Sequence, residues 1–325
     1  MTVAFSIRWA ICLLYSRESR RRRIMADYTA YFNGEWMPFS EVKIDPMDRG
    51  FLVGDVIFDV ARTFNGKSFR MDQHIDRLYR SLKYVRIDPG LSPREMYDIS
   101  EEAIARNEHL REEAGDFTIT QFITRGPGSW SRDAGPPTVG VKISAAAFGR
   151  YANLYNDGAH GVITRTRSYP VDALDPKVKH YSRMNFNLAD LEAADVDPEG
   201  WPILTDAEGN LTEGTGYNVF LVTDGVIRTP GDRNILQGIS RGMVFDLAEQ
   251  LEIPLVEEDL QPYDMYTADE AFFSSTTPCV LPVTVVDKRE IGDGRPGPIV
   301  QQLLSAWSET VGLDIVDQMA RFDRS

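Results

Sequence analysis

The sequence predicts a mixed α/β protein of two domains, a smaller α+β one followed by a larger α/β one, and three observations carry that prediction. The chain has 325 residues, 42% of them hydrophobic, enough for one large or two medium cores at roughly 100–200 residues per domain. Asn33-Gly34 and Asn65-Gly66 each separate two β-prone runs, the strongest short-range hairpin signal. Ile75, Leu78, Leu82 and Val85 then recur at helical spacing, so strand and helix signals alternate along one chain.

Residues 1–24 stand apart from the rest. There Arg8, Arg17, Arg20, Arg21, Arg22 and Arg23 face Glu18 alone, in a chain whose net charge is −14. The apolar stretch from Trp9 to Tyr15 is far short of the ~20 residues a membrane span needs, and the basic cluster follows it instead of preceding it. Neither a signal peptide nor an anchor is expected; the segment reads as an extension or over-long start, with the first domain opening at Met25. Strands are expected over 28–32 and 36–39 around the first Asn-Gly, and over 57–64 and 69–71 around the second. Asp72 is expected to cap the helix that follows, and Ser92-Pro93-Arg94-Glu95 is a capping box opening another. Strands over 117–125 and 138–147 flank a Gly/Pro/Ser-rich loop. The small domain thus spans 25–150, a polar linker 151–157 and the large domain 158–325. Within the last, a strand is expected over 162–167 and helices near 183–194, 240–251 and 298–308.

Charge and cysteine content exclude several function classes. A chain this acidic repels nucleic-acid phosphates and anionic lipid surfaces, so neither nucleic acid nor membrane is an expected partner. Cys12 and Cys279 are the only cysteines, which leaves no disulfide framework or cysteine-rich zinc site and fits a cytoplasmic location.

Four local features carry chemistry. Gln237-Gly238-Ile239-Ser240 runs straight into a predicted helix, a glycine turn whose free N–H groups and helix dipole suit a phosphate. An ordinary serine N-cap would read the same way. Ser274-Ser275-Thr276-Thr277 offers further donors, or is simply a turn. Arg77, beside His74 on the first long helix, has the fork that grips a phosphate. Lys177 and Lys179, with Glu213 further on, bring an amine and a carboxylate able to handle the two ends of one ring.

Taken in order, these residues resemble the class IV, or fold-type IV, pyridoxal-phosphate aminotransferases. That family holds branched-chain aminotransferases, D-amino-acid transaminases and (R)-selective amine transaminases. The stretches that carry the resemblance are Asp48-Arg49-Gly50-Phe51, His74-Ile75-Asp76-Arg77-Leu78, Asp175-Pro176-Lys177-Val178-Lys179, Leu211-Thr212-Glu213-Gly214-Thr215, Leu236-Gln237-Gly238-Ile239-Ser240 and Ala268-Asp269-Glu270 through Thr277.

The resemblance implies a D-amino-acid aminotransferase-like fold with pyridoxal 5'-phosphate in the cleft between the domains. The family's Schiff-base lysine falls on Lys179. Spacing alone does not separate it from Lys177, since residues two apart on an extended segment face the same side. Glu213 would keep the pyridine nitrogen protonated, so that the ring accepts electrons. Arg77, Gly238, Ile239, Ser240, Thr276 and Thr277 would form the phosphate cup, and Leu236 would press on a ring face. Phe58, Val53, Arg132 and Met184 are the candidate substrate contacts, with no metal implied. Met184 stands where branched-chain enzymes carry a tyrosine, five residues after the lysine. The loop from Arg125 to Arg132 and the run Phe58-Asp59-Val60 are similar to those of D-amino-acid and (R)-amine transaminases, with Arg132 as a mobile carboxylate-binding arginine and Arg125 its rival. The implied reaction is ping-pong transfer of an amino group from an amine or amino acid to a 2-keto acid, of (R)-amine transaminase type. The alternatives are a branched-chain or D-amino-acid aminotransferase, and a lyase of the aminodeoxychorismate type. A homodimer is implied, its active site completed by the neighbouring subunit.

Overall fold

The computed structural model describes residues 28–128 and 135–322; the extension at 1–24 and Arg132 lie outside the described residues. Asn33 and Gly34 adopt φ of 49° and 97°, and Asn65 and Gly66 adopt 51° and 76°, the left-handed pairs that tight hairpins require. The first turn joins β1 (Thr29–Phe32) to β2 (Glu35–Pro38), and the second joins β3 (Val56–Phe64) to β4 (Lys67–Ser68). With β5 (Phe117–Thr124) and β6 (Val139–Ala145) they form a six-stranded antiparallel sheet in the order β2-β1-β6-β5-β3-β4. The short α1 (Arg49–Val53) precedes β3, while α2 (Met71–Val85) and α3 (Pro93–Asn107) cover the sheet. Their Ile75, Leu78, Leu82, Met96 and Ile104 are buried in one core with Ile57, Ile119 and Val141.

Ser92 and Glu95 form the expected capping box on α3. At α2 the expectation is corrected. The helix begins at Met71 after Arg70, which is left-handed and gives no side-chain cap. Asp72 therefore sits inside the first turn, where its charge faces the positive end of the helix. A single turn, α4 (Arg111–Ala114), leads to β5.

The stretch 151–157, expected as a polar linker, contains the helical turn α5 (Leu154–Asp157). Tyr155 is buried there and its hydroxyl donates to the Pro278 carbonyl at 2.6 Å, so the segment is part of the packed core. The second sheet is mixed, built from β7 (Ala159–Ile163), β8 (Trp201–Thr205), β9 (Leu211–Gly214), β10 (Asn218–Thr223), β11 (Val226–Pro230), β12 (Leu255–Glu258), β13 (Glu270–Ser275), β14 (Cys279–Val286) and β15 (Arg289–Glu290). Its order is β12-β11-β10-β13-β14-β7-β8-β9, and Asn218 of β10 pairs with Glu213 of β9, so the sheet curls until its edge meets its middle. Trp201, Tyr217, Leu221, Phe273 and Leu281 pack into one core of this sheet. Three helices build another with Phe220 and Phe272: α7 (Ile239–Gln250), α9 (Pro298–Val311) and α10 (Ile315–Arg321) contribute Met243, Leu247, Leu303, Trp307 and Met319. The remaining helices are α6 (Met184–Val196) and α8 (Pro262–Tyr266). Among the described residues no helix is long and apolar enough to cross a membrane.

Candidate active site

The chain leading to Lys179 leaves the second sheet's territory and docks on the first. Phe58 N–H donates to the Lys179 carbonyl at 3.0 Å and Tyr181 N–H to the Val56 carbonyl at 3.1 Å, a short antiparallel bridge centred on Ile57 and His180. Lys179 N–H donates to Ser81 Oγ of α2 at 3.2 Å. Lys177 is placed differently because Asp175 makes a turn: its carbonyl accepts from Val178 N–H and its carboxylate from Lys177 N–H. The segment is therefore not extended, and the two amines diverge. Lys177 Nζ pairs with Asp175 at 3.1 Å, whereas Lys179 lines a cleft. Burial, then the charges of Arg183 and Arg77, hold the Lys179 amine down at about 7.

Across the cleft is Glu213, on the strand that closes the curled sheet. Burial pushes its carboxyl up to about 7, against the Leu236 N–H that donates to Oε2 at 3.1 Å. Asn218 Nδ2 donates to the Leu236 carbonyl at 2.9 Å, so Leu236 is fixed from both sides.

The third wall suits an oxyanion. Gly238 is the N-cap of α7 and no side chain caps the helix, which makes Ser240 its second residue and not a capping serine. Gly238, Ile239 and Ser240 all line the cleft. A Cβ on Gly238 would sit 2.1 Å from Asn218 Oδ1, so only glycine lets the turn approach this closely. Arg77 reaches the same wall from α2, Nη1 donating to the Gln237 carbonyl at 3.0 Å while Nε and Nη2 bind Asp59 at 2.8 Å each. Asp59 also bonds His74 Nδ1 at 2.7 Å. Burial opposes its charge, yet Arg77 and His74 hold its carboxyl well below the usual range.

Ser274 Oγ on β13 is buried with no partner among the described residues, and Ser275 and Thr276 line the cleft beside it. Thr277 does not. It lies in the turn between β13 and β14, with its carbonyl taken by Arg62 Nη1 at 2.6 Å, which corrects its place in the cup. The empty space of the cleft, counting that open to solvent, is about 410 Å³. An uncapped helix end, an orphaned hydroxyl and Arg77 fit a phosphate, Glu213 a ring nitrogen and Lys179 an aldehyde. The residues present thus fit pyridoxal phosphate.

Of the expected substrate contacts, Phe58 is buried beside the lysine. Its ring stacks on Tyr181 at 4.0 Å, and Lys179 Nζ lies 4.8 Å from its centroid. Val53 and Met184 are 41% and 68% exposed and neither lines the cleft, a correction for this chain's own pocket. Met184 opens α6, and with Arg183 and Phe186 turned inward the 100° step per residue turns 184 outward. Arg125 is engaged by Asp55 and by the carbonyls of Val85 and Arg86. Sequence reasoning missed Arg183 and Phe186, which both line the cleft; no spacing or motif marked them.

Residues 56–286 match the family described as amino-transferase class IV. A Methanocaldococcus jannaschii protein named "Putative branched-chain-amino-acid aminotransferase" is 37% identical over 84% of this chain and 93% of its own length. The D-alanine aminotransferase of Staphylococcus haemolyticus is 31% identical over 86% and 97%. Among solved structures, a T.th. branched-chain amino acid aminotransferase with pyridoxamine 5'-phosphate superposes with a TM-score of 0.80 at 27% identity, covering 87% of this chain and 93% of that one.

Proposed function

The chain belongs to the class IV aminotransferases, whose cofactor is pyridoxal phosphate, and from that membership we propose that it transfers the amino group of an amino acid to a 2-keto acid by a ping-pong mechanism. The observation that carries the reading is one cleft holding Lys179, Glu213, Arg77 and the uncapped start of α7. When bound, the cofactor supplies a carbonyl that condenses with amines and a ring that accepts the electron pair released at the substrate carbon. The protein's part is placement and proton handling. Arg77, Ile239, Ser240, Ser274 and Thr276 would hold the phosphate. Glu213 would hold a proton at the ring nitrogen. Lys179, fixed by β3 and α2, would hold the aldehyde and then, as a free amine with depressed basicity, move the proton between substrate carbon and cofactor. Phe58 and Phe186 would shield that transfer from water.

An (R)-amine donor is the second reading, favoured by Phe186, which lines the cleft, and by the Phe58 ring beside Lys179, aromatic surface that suits an aryl group. The two separate in one experiment: single-turnover absorbance change of the bound cofactor with D-alanine, L-leucine and (R)- and (S)-1-phenylethylamine. An amino acid reacting faster than either amine supports the first reading; reaction with (R)-1-phenylethylamine alone replaces it by the second; and no amino transfer from any donor sinks both. A cytoplasmic location remains the reading of the cysteine content. We also infer a homodimer, from an apolar face: Phe51, Leu52 and Val53 of α1 and Met184, Leu188 and Leu191 of α6 are all exposed, and Ser182 joins the two segments through the Gly54 carbonyl at 2.9 Å.

A further inference from the structure

Arg183 is a cation of the cleft that forms no ion pair among the described residues. Its Nε donates to the His180 carbonyl and its Nη1 to the Thr215 carbonyl, both at 2.9 Å. The guanidinium carbon lies 5.1 Å from the Phe58 ring centroid and 4.9 Å from that of Phe186. Among the described residues no carboxylate forms an ion pair with it. The fully buried arginines each have partners within the fold: Arg77 is paired with Asp59, Arg241 with Glu257, and Arg62 is taken up by two carbonyls and Gln318. Two carbonyls and two rings thus fix the fork of Arg183, while Nη2 has no hydrogen-bond partner among the described residues. The half-buried guanidinium feels the charge of Glu213 but makes no ion pair with it, so its free edge can take an anionic ligand. The phosphate does not require it, since Arg77 and the start of α7 meet that charge at another wall. In a chain of net charge −14, a cleft lined by Lys179, Arg77 and Arg183 against Glu213 focuses anions.

We propose that Arg183 receives the carboxylate of the amino acid and 2-keto acid substrates, seating it beside Lys179 with the substrate side chain against Phe58 and Phe186. The proposal deepens the transaminase reading and rests on it. The free Nη hydrogens form a planar fork that matches two carboxylate oxygens, and stacking on the rings keeps that fork in one orientation. No proton moves; the carboxylate binds as the anion. Binding also has a consequence for Lys179, whose amine is held down first by burial and then by the charge of Arg183. A carboxylate on Arg183 screens that cation, so the amine becomes more basic when it has a proton to accept.

The test uses the cofactor-loaded enzyme and two non-reacting ligands of equal shape, 4-methylvaleric acid and its primary amide, read by calorimetry and by the shift in cofactor absorbance. The wild type is expected to bind the acid about tenfold or more tightly than the amide, the scale of a charge-assisted hydrogen bond. Arg183→Met, measured in its cofactor-loaded form, should bring the two ligands to within roughly twofold, and Arg183→Lys should lie between, a point charge replacing the fork. Equal binding by the wild type, or an Arg183→Met enzyme that keeps the acid preference, overturns the proposal. If the Met variant fails to fold, Arg183→Gln and Arg183→Lys decide by the same ratio. Failure of the transaminase reading would appear separately, as absence of amino transfer in the wild type.

Discussion

Lys179 and Glu213 share one cleft and respond to burial in opposite senses, and this sets a pH dependence for the cofactor-free protein. Lys179 is lowered from 10.5 to about 7, so between those values the unfolded chain binds more protons than the folded one. Stability therefore rises with pH across that window, and the penalty is complete below it. Glu213 is raised from 4.5 to about 7, so the folded chain binds more protons in that window. Stability falls as pH climbs through it, and the penalty is complete above. Both penalties are greatest together near neutrality. The expected outcome is a dip in the unfolding temperature of the apo-protein around pH 7, flattened on its alkaline side by Lys179→Met and on its acid side by Glu213→Gln. Thermal scans from about pH 5 to about pH 9 check it, and a maximum at neutrality in all three proteins contradicts it. These two residues were legible in the sequence as candidates, because an amine and a carboxylate in ordered motifs announce chemistry. Arg183 was not. Its importance lies in carbonyls and rings placed by the fold, and a lone arginine four residues after a lysine looks like any surface charge.

At the scale of elements, the start of α7 is set by one glycine. Alanine at 238 would place its Cβ 2.1 Å from Asn218 Oδ1, and Asn218 cannot retreat freely because it also holds the Leu236 carbonyl. Overpacking of this kind costs about 1–3 kcal/mol, so Gly238→Ala is expected to raise the dissociation constant for pyridoxal phosphate roughly tenfold. Gly242→Ala, whose Cβ meets only Arg70 Nη1 at 4.0 Å, should leave it unchanged; equilibrium dialysis of both variants tests the pair, and equal losses would point to a general effect on the helix. Elements governed by local chemistry were readable in advance. Both Asn-Gly hairpins and the Ser92 capping box depend on a few adjacent residues. The start of α2 was not, because the tight passage from β4 puts Arg70 in a left-handed conformation. The closure of the second sheet through Glu213 and Asn218 has no sequence signature either. The 151–157 stretch was misread because polar composition hid one buried tyrosine.

For the molecule as a whole, the exposed apolar residues on α1 and α6 lie on two segments joined by the Ser182 hydroxyl, which donates to the Gly54 carbonyl. Met184, Leu188 and Leu191 form a stripe at helical spacing, 68%, 51% and 66% exposed. The helix packs Ala189 and Ala193 inward and still leaves this apolar stripe uncovered, which argues that a second copy covers it. The double variant Leu188→Asp, Leu191→Asp should sediment as a monomer with unchanged circular dichroism, against a dimer for the wild type. A wild-type monomer, or a variant that remains dimeric, refutes the inference. This also gives Val53 and Met184 a place: residues read as substrate contacts from motif position lie on the proposed subunit face.

The docking of the Lys179 segment on β3 also orders the site in time. Lys179 meets Ser81 across 98 residues of sequence, Arg77 meets Gln237 across 160, and Thr276 meets Val60 across 216. Each contact closes a long loop, and such contacts are paid for in chain entropy before they are rewarded. On a growing chain the first sheet has all its strands long before the last cleft residue has been made, so cofactor capture belongs to the final stage of assembly. Arg77 of the first half therefore joins Lys179, Glu213 and Thr276 of the second only when both halves are in place, and a partly made chain has no complete site with which to act on metabolites.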